Sequence, residues 1–106
     1  MSVIHTMVTA INEQDPETYI SVLNDYFILV TYGSKKYIRQ NIDQMGTINS
    51  VRLHVKAIRS YYSIVEYRLK YTEKGGQEIK FKGEIILERT KDNEWKIYFV
   101  SEEIAE

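Results

Sequence analysis

The stretch VEYRLKYTEKGGQEIKFKGEIILE, Val65–Glu88, decides the fold. Before Gly75-Gly76, apolar side chains recur at every second position, Val65, Tyr67, Leu69 and Tyr71, with Glu66, Arg68 and Lys70 between them. After it the alternation resumes as Ile79, Phe81, Gly83, Ile85 and Leu87 against Lys80, Lys82, Glu84 and Glu88. A period of two on both sides of a glycine pair reads as two antiparallel strands with one dry and one wet face. The parity also fixes the turn. A two-residue loop at Gly75-Gly76 would set Tyr71 opposite Lys80 and invert the faces. A three-residue loop, Lys74-Gly75-Gly76, pairs Glu73 with Gln77 and Tyr71 with Ile79, and Gly76 suits the left-handed position such a loop needs.

The same alternation extends in both directions. VRLHVKAI (51–58) sets Val51, Leu53, Val55 and Ala57 inward, and WKIYFV (95–100) sets Trp95, Ile97 and Phe99 inward. A second three-residue loop, Lys91-Asp92-Asn93, is expected between the last two strands, with Asn93 in the left-handed position. On the N-terminal side the period changes. Val3, Ile4, Met7, Val8 and Ile11 form one stripe at helical spacing. Asp15-Pro16 reads as a cap followed by a first-turn proline, and Tyr19, Ile20, Val22, Leu23 and Tyr26 supply a second apolar stripe. FILVTYG (27–33) reads as a short strand stopped by Gly33. Ser34 then caps a third helix carrying Tyr37, Ile38, Ile42 and Met45, with Gly46 as its stop. The expected architecture is an α+β single domain over residues 1–106. Its N-terminal helices pack on a curved antiparallel sheet of four long strands plus one short strand, in the order α-α-β-α-β-β-β-β.

Composition narrows the function classes. The 106 residues carry 14 basic and 15 acidic side chains, a net charge of −1, so the balance itself predicts no nucleic-acid partner and no anionic membrane surface. Cysteine is absent, which excludes disulfides and thiolate chemistry. His5 and His54 are the two histidines, too few for a histidine-rich metal site, and no metal or cofactor is expected. The N-terminal MSVIHTMVTAINE lacks the basic flank and unbroken apolar run of a signal peptide, and a cytoplasmic location is the expectation.

The element order and three phrases resemble the nuclear transport factor 2-like superfamily, the cystatin-like α+β cone. AINEQDPETYISVLNDYF looks like its opening pair of helices with an acidic joint. GSKKYIRQNI looks like its third-helix phrase, and NEWKIYFVSEE like its closing strand with an inward tryptophan. The subfamily is unassigned. The resemblance implies a sheet whose concave face, covered by helices, can leave a pocket. It also implies relatives such as ketosteroid isomerases and polyketide cyclases, which use an Asp or His for proton transfer with a Tyr as donor.

Against that expectation, no inward position of the four long strands carries Asp, Glu, His or Lys. Proton transfer needs such a group, tuned by burial toward working pH. The remaining acid, Asp25, is either a base at the pocket mouth or a solvated helix-end residue; Asp15 is a cap, and His5 and His54 lie on polar faces. Nine tyrosines are many for this length. Tyr19, Tyr26, Tyr32, Tyr37, Tyr67 and Tyr71 are the candidate ligand-binding residues, the alternative being bulky core filler whose hydroxyls reach the surface. On the outer face Lys70, Lys80, Lys82, Lys96, Arg52 and Arg68 are interleaved with Glu66, Glu84 and Glu88 and have no aromatic platform, so RNA binding is not expected there. Ile58, Ile86, Tyr98 and Val100 interrupt those charges and are the candidate homodimer face. The acidic tail SEEIAE is expected to fray beyond the last strand. The sequence thus favours a non-catalytic domain binding a small apolar or semi-polar ligand or a protein partner. The alternative is an isomerase or polyketide cyclase-like enzyme with a tyrosine-rich pocket.

Overall fold

A computed structural model of the chain describes residues 2–105. Four short helices come first: α1 (Ser2–Asn12), α2 (Pro16–Ser21), α3 (Asp25–Thr31) and α4 (Lys35–Asn41), followed by a 3-10 turn, Ile42–Gln44. Five strands follow: β1 (Thr47–Ile58), β2 (Tyr62–Thr72), β3 (Glu78–Arg89), β4 (Trp95–Val100) and the two-residue β5 (Glu103–Ile104). The sheet is antiparallel in the order β1-β2-β3-β4, with β5 pairing β3 where β4 has ended. The α+β class expected from the sequence is the class observed.

The turn chemistry follows the parity of the strands. Tyr71 faces Ile79 and Thr72 faces Glu78, and the loop closes with Glu73 N donating to Gln77 O at 2.8 Å. Arg89 faces Trp95, and Thr90 N donates to Glu94 O at 2.7 Å. Both loops therefore hold three residues. Gly76 and Asn93 sit at φ 112° and 60°, the left-handed region such loops require.

The helix caps also match their sequence signals. Asp15 accepts from Thr18 N and Thr18 Oγ1, with Pro16 in the first turn, and those two bonds hold its carboxyl below the usual range. Ser34 accepts from Tyr37 N at the start of α4.

FILVTYG departs from expectation, for it forms the helix α3 and its C-cap rather than a strand. Four successive β-prone residues lose to two end signals. Asn24 accepts from Tyr26 N at one end, and Gly33, at φ 86°, returns its N–H to Ile28 O at the other. Phe27 and Ile28 are buried while Leu29 and Val30 face out. The edge of β4 that a strand here could have paired is occupied instead by the chain just before α3. Ile97 N donates to Val22 O, and Asn24 N donates to Ile97 O, both at 2.8 Å. This blunts an open sheet edge.

The core lies between α1, α2, α4 and the inner face of the sheet. Ile4, Leu23, Ile38, Val65, Leu87 and Ile97 are wholly buried there, and Ser63, buried among them, donates to Ala57 O.

Two irregularities reposition the last strand and the tail. The β3–β4 register slips between Ile86 and Leu87: Ile86 faces Phe99 and Leu87 faces Ile97, leaving Tyr98 as an extra residue. Past this bulge the parity of β4 reverses. Phe99, expected inside, is 44% exposed on the outer face, and Val100, expected outside, turns to the inner face. From Ser101 to Ala105 the tail then follows β3 instead of fraying; Glu106 lies outside the described residues. Ser101 N donates to Glu84 O at 2.9 Å, Ser101 Oγ accepts from Glu84 N at 2.9 Å, and Ala105 N donates to Lys80 O at 2.8 Å. Gly83 permits this. A Cβ there would stand 2.8 Å from the Ser101 carbonyl carbon, closer than non-bonded atoms pack.

Candidate functional site

Between the helices and the inner face of the sheet lies a cavity of about 340 Å³. Its floor is β2 and β3, through Tyr67, Leu69, Tyr71, Phe81 and Ile85, and its roof is α1, α2 and α3, through Met7, Ile11, Tyr19, Phe27 and Thr31. Tyr32, Met45, Ile48, Val100 and Glu102 complete the wall. An engineered cavity of about 150 Å³ holds a benzene ring, so this space suits a body of roughly two fused rings. The lining is mostly aliphatic and aromatic, with tyrosine hydroxyls and one carboxylate as its main polar side-chain groups.

The hydroxyl bonds decide which protons are free. Tyr19 and Tyr32 meet oxygen to oxygen at 2.7 Å, their rings edge to face with centroids 6.1 Å apart. Tyr19 is 3% exposed and has no other hydroxyl partner among the described residues. Were Tyr32 the donor, the Tyr19 proton would be buried without an acceptor, at about 1–3 kcal/mol. Tyr19 therefore donates, and the Tyr32 proton is free for the cavity. Tyr67 donates to Ser101 O at 2.8 Å, so its proton is taken. Tyr71 accepts from Gly46 N, which leaves its own proton unassigned. Two phenolic donors, Tyr32 and Tyr71, are thus available to an occupant.

All the shifted phenols of the wall are harder to ionise than usual. Burial pushes the Tyr19 hydroxyl well up. It pushes up Tyr32 too, assisted by the Glu102 charge and opposed by the bond from Tyr19. Tyr67 is pushed up to about 12, by burial and then by Glu102. These groups remain neutral donors across the physiological range. Glu102 acts on the two phenols through its charge, and it makes no hydrogen bond to either among the described residues.

No protein-family model and no curated protein matches the chain. Solved structures do. A ketosteroid isomerase-like protein from Erwinia carotovora atroseptica superposes with a TM-score of 0.74 at 11% identity, over 99% of this chain and 92% of that one. A nuclear transport factor 2-like superfamily protein from Salmonella enterica superposes with a TM-score of 0.66 at 11% identity, over 99% and 87%. The chain adopts the nuclear transport factor 2-like fold. A SEC-C motif-containing protein from Rhodopseudomonas palustris shares it, with a TM-score of 0.72 at 10% identity, over 98% of this chain and 77% of that one.

Within this nuclear transport factor 2-like frame, the sequence-derived candidates separate. Tyr19, Tyr32, Tyr67 and Tyr71 meet at the cavity. Tyr37 lies outside it, half exposed and stacked on Tyr32 with centroids 6.2 Å apart. Tyr26, half exposed near the start of α3, lies outside the cavity and stacks on Tyr98 with centroids 5.2 Å apart. Asp25 is exposed at the start of α3 and does not line the cavity. Of the four outer-face candidates two are corrected: the bulge at Tyr98 turns Val100 into the cavity, and the register shift between Val55 and Ala57 turns Ala57 outward and sets Ile58 opposite Ser63, on the inner side of the sheet. Ile58 is exposed at the end of β1, and Ile86 stands between Ile64 and Phe99 on the outer face. Ile58, Ile86, Tyr98 and Val100 therefore do not form one patch.

Glu102 is the residue that sequence reasoning missed. The alternation placed no acid on the inner wall, and a strict period of two cannot register an extra residue. The signal that could have found it is Gly83, a glycine at an inward strand position, which commonly marks a close backbone approach. Among the described residues no helix is long and apolar enough to cross a membrane.

Proposed function

We propose that this chain is a non-catalytic cytoplasmic protein that binds a small, neutral, largely apolar molecule carrying one hydrogen-bond acceptor. The observation that carries the reading is the pair of phenolic donors, Tyr32 and Tyr71, in an otherwise apolar cavity. Tyr32 and Tyr71 are part-buried, so an occupant offering a carbonyl or hydroxyl oxygen gains a hydrogen bond worth about 0.5–1.5 kcal/mol that a plain hydrocarbon does not. The Glu102 charge disfavours an anionic occupant. Titrating the protein with 2-acetylnaphthalene, naphthalene and 2-naphthoate, followed by calorimetry, tests this. Saturable binding of the ketone is expected, stronger than that of the other two and about tenfold weaker in Tyr32→Phe. Failure of all three probes to bind, or binding unchanged when Ile85→Trp fills the cavity, would remove the reading.

Glu102 favours a second reading, an isomerase-like enzyme, consistent with the name of the Erwinia structure. A carboxylate near two neutral phenols is the pairing that moves a proton beside a carbonyl. It would show as turnover of a β,γ-unsaturated ketone that Glu102→Gln abolishes and Asp25→Asn leaves unchanged.

A further inference from the structure

The outer face of the sheet, on the side away from the cavity, sorts its charges in a way that strand pairing does not explain. Arg52 faces Arg68, Arg68 faces Lys82, and Lys70 faces Lys80, three like-charge pairs placed directly across from one another. Like charges at such positions destabilise a sheet. Two acids of the same face do not relieve them. Glu66 and Glu84, themselves opposite each other, are gathered by Lys56 at 3.6 and 2.7 Å, one step further along the strands. Among the described residues, the ion pair made by the five basic side chains is Lys82 with Glu103, at 3.7 Å. Away from the Lys82–Glu103 pair, charges that look interleaved in sequence are therefore set like beside like, most clearly at Arg52, Arg68, Lys70 and Lys80.

The basic cluster lies in a trough. One hollow, of about 500 Å³, is lined by Arg52, Arg68, Lys70 and Lys80 with no carboxylate among its described lining, and a neighbouring one, of about 420 Å³, sets Arg52, Arg68 and Lys82 beside Glu66, Glu84 and Glu103. They share the two arginines. With strands ~4.8 Å apart and two residues rising ~6.7 Å, the cluster covers roughly 10 by 7 Å. Guanidinium forks at the centre match phosphate oxygens in pairs, and lysines around them add point charges. The acidic Glu66–Glu84 row bounds the cluster on one side, so a long polyanion crossing the whole face would meet repulsion. The outer-face aromatics Tyr62 and Phe99 lie beyond that row, and no base-stacking platform adjoins the cluster.

We propose that the outer face of the sheet is a second site, independent of the cavity, that binds a compact polyphosphorylated anion across Arg52, Arg68, Lys70, Lys80 and Lys82. Its source is either a soluble metabolite or a lipid headgroup bearing several phosphates.

Calorimetric titration with inorganic tripolyphosphate at low salt tests the site. Saturable single-site binding is expected, weakened about tenfold by Arg68→Gln and by Lys80→Gln, and unaffected by Lys96→Gln at the far end of the face. Thermal melts supply a second readout. Because Arg68→Gln removes two like-charge pairs and Lys80→Gln one, both variants should melt no lower than the parent, whereas a purely structural role predicts a loss. Sedimentation with vesicles containing phosphatidylinositol bisphosphate, reversed by tripolyphosphate, would assign the headgroup source. Tripolyphosphate binding without vesicle binding would assign the soluble one. The proposal is overturned by a Kd weaker than about 1 mM, by affinity indifferent to the arginine and lysine variants, or by tighter binding of a short single-stranded oligonucleotide.

Discussion

Replacing Gly83 by alanine tests the account of how the tail enters the cavity wall. A Cβ at this position stands 2.8 Å from the Ser101 carbonyl carbon and 3.0 Å from its hydroxyl oxygen. The obstruction is mainly backbone, so Ser101 must lift off β3. Three bonds depend on its present position: Tyr67 Oη to Ser101 O, Ser101 N to Glu84 O, and Glu84 N to Ser101 Oγ. At about 0.5–1.5 kcal/mol each, their loss amounts to roughly 1.5–4.5 kcal/mol. The entropy that alanine removes from the unfolded chain offsets about 0.4–1 kcal/mol of this. A net loss of about 0.5–4 kcal/mol follows, or roughly 2–18 °C in Tm for a domain of this size. Urea and thermal unfolding would measure it, with Tyr67→Phe as partner in a double-mutant cycle. Both changes break the Tyr67–Ser101 bond, so the double variant should lose less than the sum of the singles. A Gly83→Ala protein within about 0.5 kcal/mol of the parent, or strict additivity, would refute the close approach.

Three further outcomes follow from the same structure. Tyr32→Phe should cost more stability than Tyr19→Phe, by about 1 kcal/mol or more in urea melts, because it leaves a buried Tyr19 proton without an acceptor while the reverse change does not. On β4, Phe99→Lys should be nearly silent in a thermal melt, whereas Val100→Lys should cost about 2 kcal/mol or more, the reverse of what strict alternation predicts. Stability should also fall in alkali. Tyr19, Tyr32 and Tyr67 all ionise above the usual phenol range in the folded chain, so the folded state holds their protons more tightly. Their contribution is complete below about pH 10 and is lost as pH rises through the folded values, about 12 for Tyr67. Phenolate absorbance that rises together with loss of circular dichroism would show this coupling; full ionisation of the native protein near pH 10 would contradict it.

Local chemistry wrote much of this fold into the sequence. The caps at Asp15 and Ser34, the two three-residue loops and the strand positions from Val65 to Leu87 each rest on residues within a few places of one another. The tyrosines of the two halves, Tyr19 and Tyr32 against Tyr67 and Tyr71, meet at one cavity only through the tertiary fold. Longer-range contacts decided the rest. The β4 edge that FILVTYG could have paired was taken by Val22 and Asn24, a contact no local propensity encodes, while the Asn24 and Gly33 caps closed the segment into a helix. The bulge at Tyr98 exchanged the faces of Phe99 and Val100, since a single unpaired residue inverts everything after it. Glu102 reached the cavity because Gly83 lets a backbone pass where a side chain would stand. The charges of the outer face alternate along the chain, yet strand register sets like beside like. By itself the sequence determined the class of fold and its turns, because those follow from residues close in the chain. The acid in the cavity wall and the basic cluster on the opposite face came only from tertiary structure, because each depends on which strand lies beside which, and at what offset.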